Sequence, residues 1–213
     1  MKTLLLFSLA SLTSFGQVVK VPARQIVPMD VQLRAKAAVQ SQVDKTLKGD
    51  FRGVVEKMNP DYLKVLSREA KIPVDAVQAK NLKNLQEISQ QGVTIEAMIT
   101  LPPAGAFEVD FGLTEQMVDG KAVNGGAYRS WMVFIPTVID ISGLDLSTEP
   151  PKMRTFRKWS FEVAIAKKDQ ESWTFVNGQG VNALELRKLF KFLPQDDKAY
   201  NFPVRKAEEI KKK

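Results

Sequence analysis

The 213-residue chain contains neither histidine nor cysteine, so carboxylates, tyrosine hydroxyls and lysines are the groups left to do chemistry. Without imidazole there is no Ser-His or Cys-His nucleophile, no imidazole general base and no ligand of the type zinc most often takes. Without thiols there is no disulfide, no thiolate catalysis and no thiolate metal site. No Ser-x-x-Lys dyad occurs either. An aspartate working with a tyrosine hydroxyl can still move protons. The candidates for that chemistry are the adjacent Asp61 and Tyr62, and Asp140 at the end of an apolar strand. Each also has an ordinary structural reading: a turn acid after Pro60, a core tyrosine with a satisfied hydroxyl, and a solvated strand end.

Strand phase sorts the remaining acids. Ile95, Ala97 and Ile99, then Val109, Phe111 and Leu113, then Trp159, Phe161, Val163 and Ile165 put the apolar residues on odd positions. Glu96, Glu108, Asp110 and Glu162 fall on the even phase, so they are expected to point away from the interior into solvent. Gly178-Gln179-Gly180-Val181-Asn182-Ala183 has the spacing of a loose dinucleotide fingerprint. It lacks a second parallel strand and a ribose-binding acid after it, so it reads as a glycine turn leaving a hairpin. Asp140 and Asp145 fall short of a calcium loop. No cofactor and no metal site are expected. Tyr128, Trp131, Phe134, Trp159 and Trp173 are candidates to line an apolar cavity, or simply to fill the core.

The elements that must position these residues are legible from periodicity. Asp30 is a plausible N-cap for a helix in which Val31, Ala35, Val39, Val43 and Leu47 recur every fourth residue. Gly49 ends it, and Asp50 caps a short helix with Phe51, Val54, Val55 and Met58 on one side. Pro60 stops that helix, Tyr62 to Leu66 reads as an apolar turn, and Pro73 opens a third helix closed by Gly92. The period then changes to two. Strands are expected over 93–101, 107–113, 128–141, 156–166 and 172–176, with turns at Asp119-Gly120 and Asn124-Gly125-Gly126 and a bulge or break at Pro136. Asn182 to Phe192 reads as a last amphipathic helix or edge segment.

Three helices feeding an antiparallel sheet, with Gly49-Asp50-Phe51 opening the second helix, Asn59-Pro60-Asp61-Tyr62 closing it and Trp173-Thr174-Phe175-Val176-Asn177-Gly178 in a late hairpin, resembles the nuclear-transport-factor-like superfamily. The resemblance runs from about Val31 to Gly180. It implies an α+β fold in which three N-terminal helices pack on a curved antiparallel sheet forming a cone. It also includes enzymes of the ketosteroid isomerase and polyketide cyclase types. The histidine and aspartate pair of resembling dehydratases has no counterpart here.

Residues 1–16 carry Lys2, an apolar run from Leu4 to Phe15 and small residues at Ser14 and Gly16, the pattern of a signal peptide cleaved before Gln17. That run is too short to cross a hydrocarbon core of about 30 Å. Residues 17–29 are expected to form an extended leader, 30–193 a single domain, and 194–213 a polar basic tail. The location implied is periplasmic or secreted. The chain carries 31 Lys and Arg against 24 Asp and Glu, an excess that reads as a solvated surface and not as a nucleic-acid face. The function expected is non-catalytic binding of a small apolar ligand or a protein partner, the partner including a second copy of the chain paired through the sheet as a homodimer. The alternatives are a histidine-free isomerase or cyclase and a structural subunit of an envelope assembly.

Overall fold

A computed structural model describes residues 21–118, 121–170 and 172–210. The apolar leader over 1–16, the Asp119-Gly120 turn and the Lys211-Lys212-Lys213 tail lie outside the described residues. Four helices, α1 (Met29–Leu47), α2 (Phe51–Val55), α3 (Pro60–Ala70) and α4 (Val74–Gln90), precede strands β1 (Thr94–Thr100), β2 (Gly105–Val118), β3 (Lys121–Asp145), β4 (Lys152–Lys167) and β5 (Thr174–Asn177). Helix α5 (Ala183–Leu189) and strand β6 (Lys206–Ile210) follow. The fold is α+β, with a curved, unclosed antiparallel sheet.

The helical layer has one helix more than the three expected. Asn59 accepts hydrogen bonds from the backbone N–H groups of Asp61 and Tyr62 at 3.1 and 3.0 Å, and Pro60 occupies the first helical turn. Proline lacks an N–H that is unsatisfied there anyway, so this Asn-Pro pair starts α3 as well as ending α2. Asp50 caps α2 through Gly53 N as expected. Asp30 is not the cap of α1; it sits in the first turn and pairs with Arg34 at 2.6 Å. Val31, Ala35, Val39 and Val43 are all buried, whereas Leu47 is exposed.

Sheet order is β1-β3-β4-β5, with β2 pairing the N-terminal half of β3 and β6 the N-terminal half of β4, beside Thr155 to Trp159. Asn124, Gly125 and Gly126 are not a turn: they lie inside β3, paired with Glu115, Thr114 and Leu113. Pro136 interrupts nothing. Its carbonyl accepts from Leu101 N at 2.8 Å on the side where the partner of β3 changes from β1 to β2, so the missing N–H falls in a gap between two ladders.

Both faces of the sheet centre are covered. On one, Val31, Ala35 and Val39 of α1 pack on Val133, Ile135, Ala164, Ala166, Trp173 and Phe175. On the other, Met132, Phe134, Phe161, Val163, Ile165 and Val176 pack under Val181, Ala183 and Leu186, then Leu193 and Tyr200. Residues 194–210 are therefore part of the domain and not a polar tail. Tyr200 is fully buried, stacks on Phe202 at 5.2 Å and donates its hydroxyl to the Pro194 carbonyl. The leader also docks, since Val27 is buried in the α1 layer.

Candidate functional site

Coverage of both faces changes what strand phase means for the acids. Even positions of β4 point toward α1, because Ala164 and Ala166 belong to the α1-side core. Glu162 therefore lies beneath the helices, paired laterally with Ile135 and Asn177. Its side chain is half-buried, and burial alone pushes its carboxyl up to about 8. No charged neighbour contributes to that shift. Among the described residues the carboxyl has no hydrogen-bond or ion partner. The carboxyl is thus partly covered and not on a free surface.

Ser160 stands two positions away on the same face, about 6.6 Å along the strand. It is buried, and its hydroxyl has no hydrogen-bond partner. The Gln42 side-chain carbonyl on α1 is likewise buried and unpartnered. At 100° per residue Gln42 lies to one side of the buried Val39, and Gln40 lies to the other. Gln40 accepts from Thr100 of β1 at 2.8 Å, and Lys45 reaches the Gly53 carbonyl of α2. The Gln42 flank therefore turns away from β1, toward β4 and α2. Glu162 and Ser160 on β4 and Gln42 on α1 are thus three oxygen-bearing side chains without a hydrogen-bond partner among the described residues. Buried polar groups are nearly always satisfied, so the Ser160 hydroxyl and the Gln42 carbonyl are departures from the usual interior.

Glu108 also departs from the expectation of solvation. It is 2% exposed, bonds the leader through Gln25 N at 2.7 Å and pairs with Lys168. Lys168 Nζ in turn lies 4.1 Å from the Trp131 ring centre. That carboxylate is engaged in fastening the leader. Phase fails in β1 for another reason: the register shifts between Ile95 and Ala97. The extra residue of this bulge turns Met98 and Thr100 toward the helices and leaves Ile99 exposed at 53%. Asp110 pairs with Arg129 at 2.8 Å on the surface.

The residues favoured by sequence are not brought together. Asp61 is exposed and paired with Lys64 at 2.8 Å. Asp140 lies on the face away from α1, held by Arg157 through two bonds of 2.8 and 2.7 Å. Tyr62 packs against the core on that same far side; burial first, then the Glu185 and Glu69 carboxylates, push its hydroxyl up. Neither Asp61 nor Asp140 is therefore placed to share proton transfer with Tyr62. The five aromatic candidates are divided by the sheet: Trp131 and Trp173 lie on the α1 side, and Tyr128, Phe134 and Trp159 on the other. Phe134 is core, and Trp159 is covered by Lys206 at 4.2 Å.

Tyr128 alone borders a cleft, of about 190 Å³, with Phe111, Leu189, Phe192 and Arg24. Arg24 is already bonded to the Glu108 and Phe192 carbonyls and lies 5.2 Å over the Tyr128 ring, so its charge is engaged. A shallower depression of about 440 Å³ runs between the leader and residues 103–107. Gly178 begins a 3-10 turn against Phe161, as expected of a structural glycine leaving a hairpin. Among the described residues no cluster of His, Cys, Asp or Glu could hold a metal, and no helix is long and apolar enough to cross a membrane. No protein-family model, curated protein or solved structure gives a significant match to the chain.

Proposed function

We propose that this chain is an exported binding domain that takes a small, largely apolar ligand between α1 and the sheet and does no chemistry on it. The observation that carries this reading is the partnerless Glu162 carboxyl beneath α1, with the unsatisfied Ser160 hydroxyl beside it. A neutral carboxyl in apolar surroundings can hold a ligand by hydrogen bonds without carrying charge into the interior. The resemblance in element order to the nuclear-transport-factor-like superfamily supports the same placement. Export rests on the charged and apolar pattern of residues 1–16.

The test is native mass spectrometry of the mature chain purified from its host, followed by denaturation and small-molecule analysis. A bound molecule lost from a Glu162→Arg variant that still folds is the expected result. A chain that never carries or accepts a small molecule would contradict it.

A second reading is favoured by one observation, the position of the Glu162 carboxyl near 8. A group titrating there could act as a general acid or base at neutral pH. Turnover of a substrate that falls by about 100-fold in Glu162→Gln would select that reading.

A further inference from the structure

We propose that the leader over 21–28 is a self-inhibiting strap: its Arg24 fills a niche for a cation carried on an apolar body, and a ligand of that class must displace Arg24 to enter. The niche lies along the free edge of β2, apart from the Glu162 locus on β4. Two cavities adjoin there. The cleft of about 190 Å³ takes in Val109 and Phe111 of β2, and the depression of about 440 Å³ takes in Pro103, Ala106 and Phe107 just before them. Among the described residues Arg24 alone borders both. Its guanidinium is bonded to the Glu108 carbonyl, at the position between the two stretches. The Arg24 side chain is therefore a bar across one groove. The leader that carries it is held by side chains and not by a ladder: among the described residues its backbone makes no bond to the β2 backbone. Gln25 N is fastened through the Glu108 carboxylate, and Val27 anchors the far end in the α1 core. The Arg24 end can lift without breaking the sheet.

What Arg24 leaves behind defines the ligand. It donates to the Glu108 carbonyl at 3.2 Å and to the Phe192 carbonyl. Its guanidinium carbon lies 5.2 Å from the Tyr128 ring centre and 5.9 Å from that of Phe107. With Arg24 withdrawn, two carbonyl acceptors stand without these donors between two aromatic rings, a surround that attracts cations and repels anions. Of the charged side chains on the cleft, Lys191 is exposed and Asp110 is paired with Arg129, so solvent and pairing blunt both. Val109, Phe111, Leu189 and Phe192 supply apolar walls for the body of the ligand, with Phe192 45% exposed at the mouth. A strap that occupies the niche lowers the apparent affinity of the ligand by the fraction of molecules in which it is open.

The experiment uses the full mature chain, wild type and Arg24→Ala, with phenethylguanidinium and 3-phenylpropanoate, which share an aromatic body and differ in the sign of their charge, in calorimetric titrations at pH 7. Arg24→Ala is expected to bind phenethylguanidinium about tenfold more tightly than wild type does, and about tenfold more tightly than it binds 3-phenylpropanoate. Adding Tyr128→Leu to Arg24→Ala should weaken phenethylguanidinium about threefold. In the wild-type chain, saturating phenethylguanidinium should quicken amide exchange at Gln25, a readout that needs no variant. Equal affinity of wild type and Arg24→Ala, with exchange at Gln25 unchanged, would overturn the strap. The carboxylate binding as tightly as the guanidinium would overturn the cation niche, and failure of both proteins to bind either probe would overturn both. Gln25 and Tyr128 locate the binding on the β2 side, so each of these failures leaves the reading of Glu162 standing.

Discussion

Glu162 and Ser160 stand two residues apart on the α1-facing side of β4, and neither side chain finds a hydrogen-bond partner. Two adjacent orphan groups in a sheet whose neighbouring positions are closely packed set this locus apart from the rest of the interior. The folding energy of the chain should register both.

For Glu162 the sign of the pH effect is fixed. Its carboxyl is raised from 4.5 to about 8 in the folded chain, so the folded state holds the proton more tightly than the unfolded one. Stability from this group is fully present below the unfolded value, falls as pH rises between the two values, and is lost above the folded value. The slope is on the order of 1.4 kcal/mol per pH unit. Urea unfolding of wild type and Glu162→Gln from pH 4 to 9 is expected to show the variant becoming relatively more stable above pH 5. Parallel curves would refute this.

Ser160→Ala removes a buried hydroxyl that makes no bond. Because no partner is orphaned by the change, stability should stay level or rise by up to about 1 kcal/mol. A loss of more than that in a denaturation curve would mean that the hydroxyl is bonded after all.

Lys168→Ala should behave in the opposite way. It strips the cation from Glu108, whose side chain is 3% exposed against 31% for Lys168. The cost expected is on the order of 2 kcal/mol, below that of a fully buried pair because Lys168 reaches water. Release of the leader should accompany it, read as faster amide exchange at Gln25 and Val27.

Much of the fold is legible in the sequence because single-faced elements write their burial as periodicity. The four-residue repeat from Val31 to Val43 is buried as read, and the Asp50 cap is in place. The β4-β5 hairpin pairs Val163 with Val176 as the flanking strands suggest. The site was hidden because β4 is covered on both faces, so alternation ceases to report which side is wet. Phe161 and Ala164 are both fully buried on opposite faces, and Glu162 between them looks from sequence like a solvated position. Asn59-Pro60 reads as a stop because its role as a cap depends on where the Asn59 side chain points. The segment over 194–210 carries little periodicity; Tyr200 and Phe202 were the signal that it returns to the core.

That returning segment gives a further expectation. Ending the chain after Leu193 removes Tyr200 and Phe202 from Phe134 and Phe161, to which Phe202 lies at 5.5 and 5.9 Å. Losing the buried Tyr200 costs about 3–5 kcal/mol by analogy with truncation to alanine, and the half-buried Phe202 adds less. Near-ultraviolet circular dichroism should show lost tertiary packing. An unchanged melting temperature would mean that the segment is dispensable.

Gly178→Ala tests the same face by crowding it. A Cβ at Gly178 would meet the Phe161 carbonyl and approach its Cδ2 to 2.5 Å. A loss of about 1–3 kcal/mol is expected in thermal unfolding.

The most direct measurement is carbon-13 NMR titration of the Glu162 side-chain carboxyl, assigned by its loss in Glu162→Gln. A midpoint near 8 is expected. A midpoint in the ordinary carboxylate range would contradict the placement of an unpartnered carboxyl beneath α1.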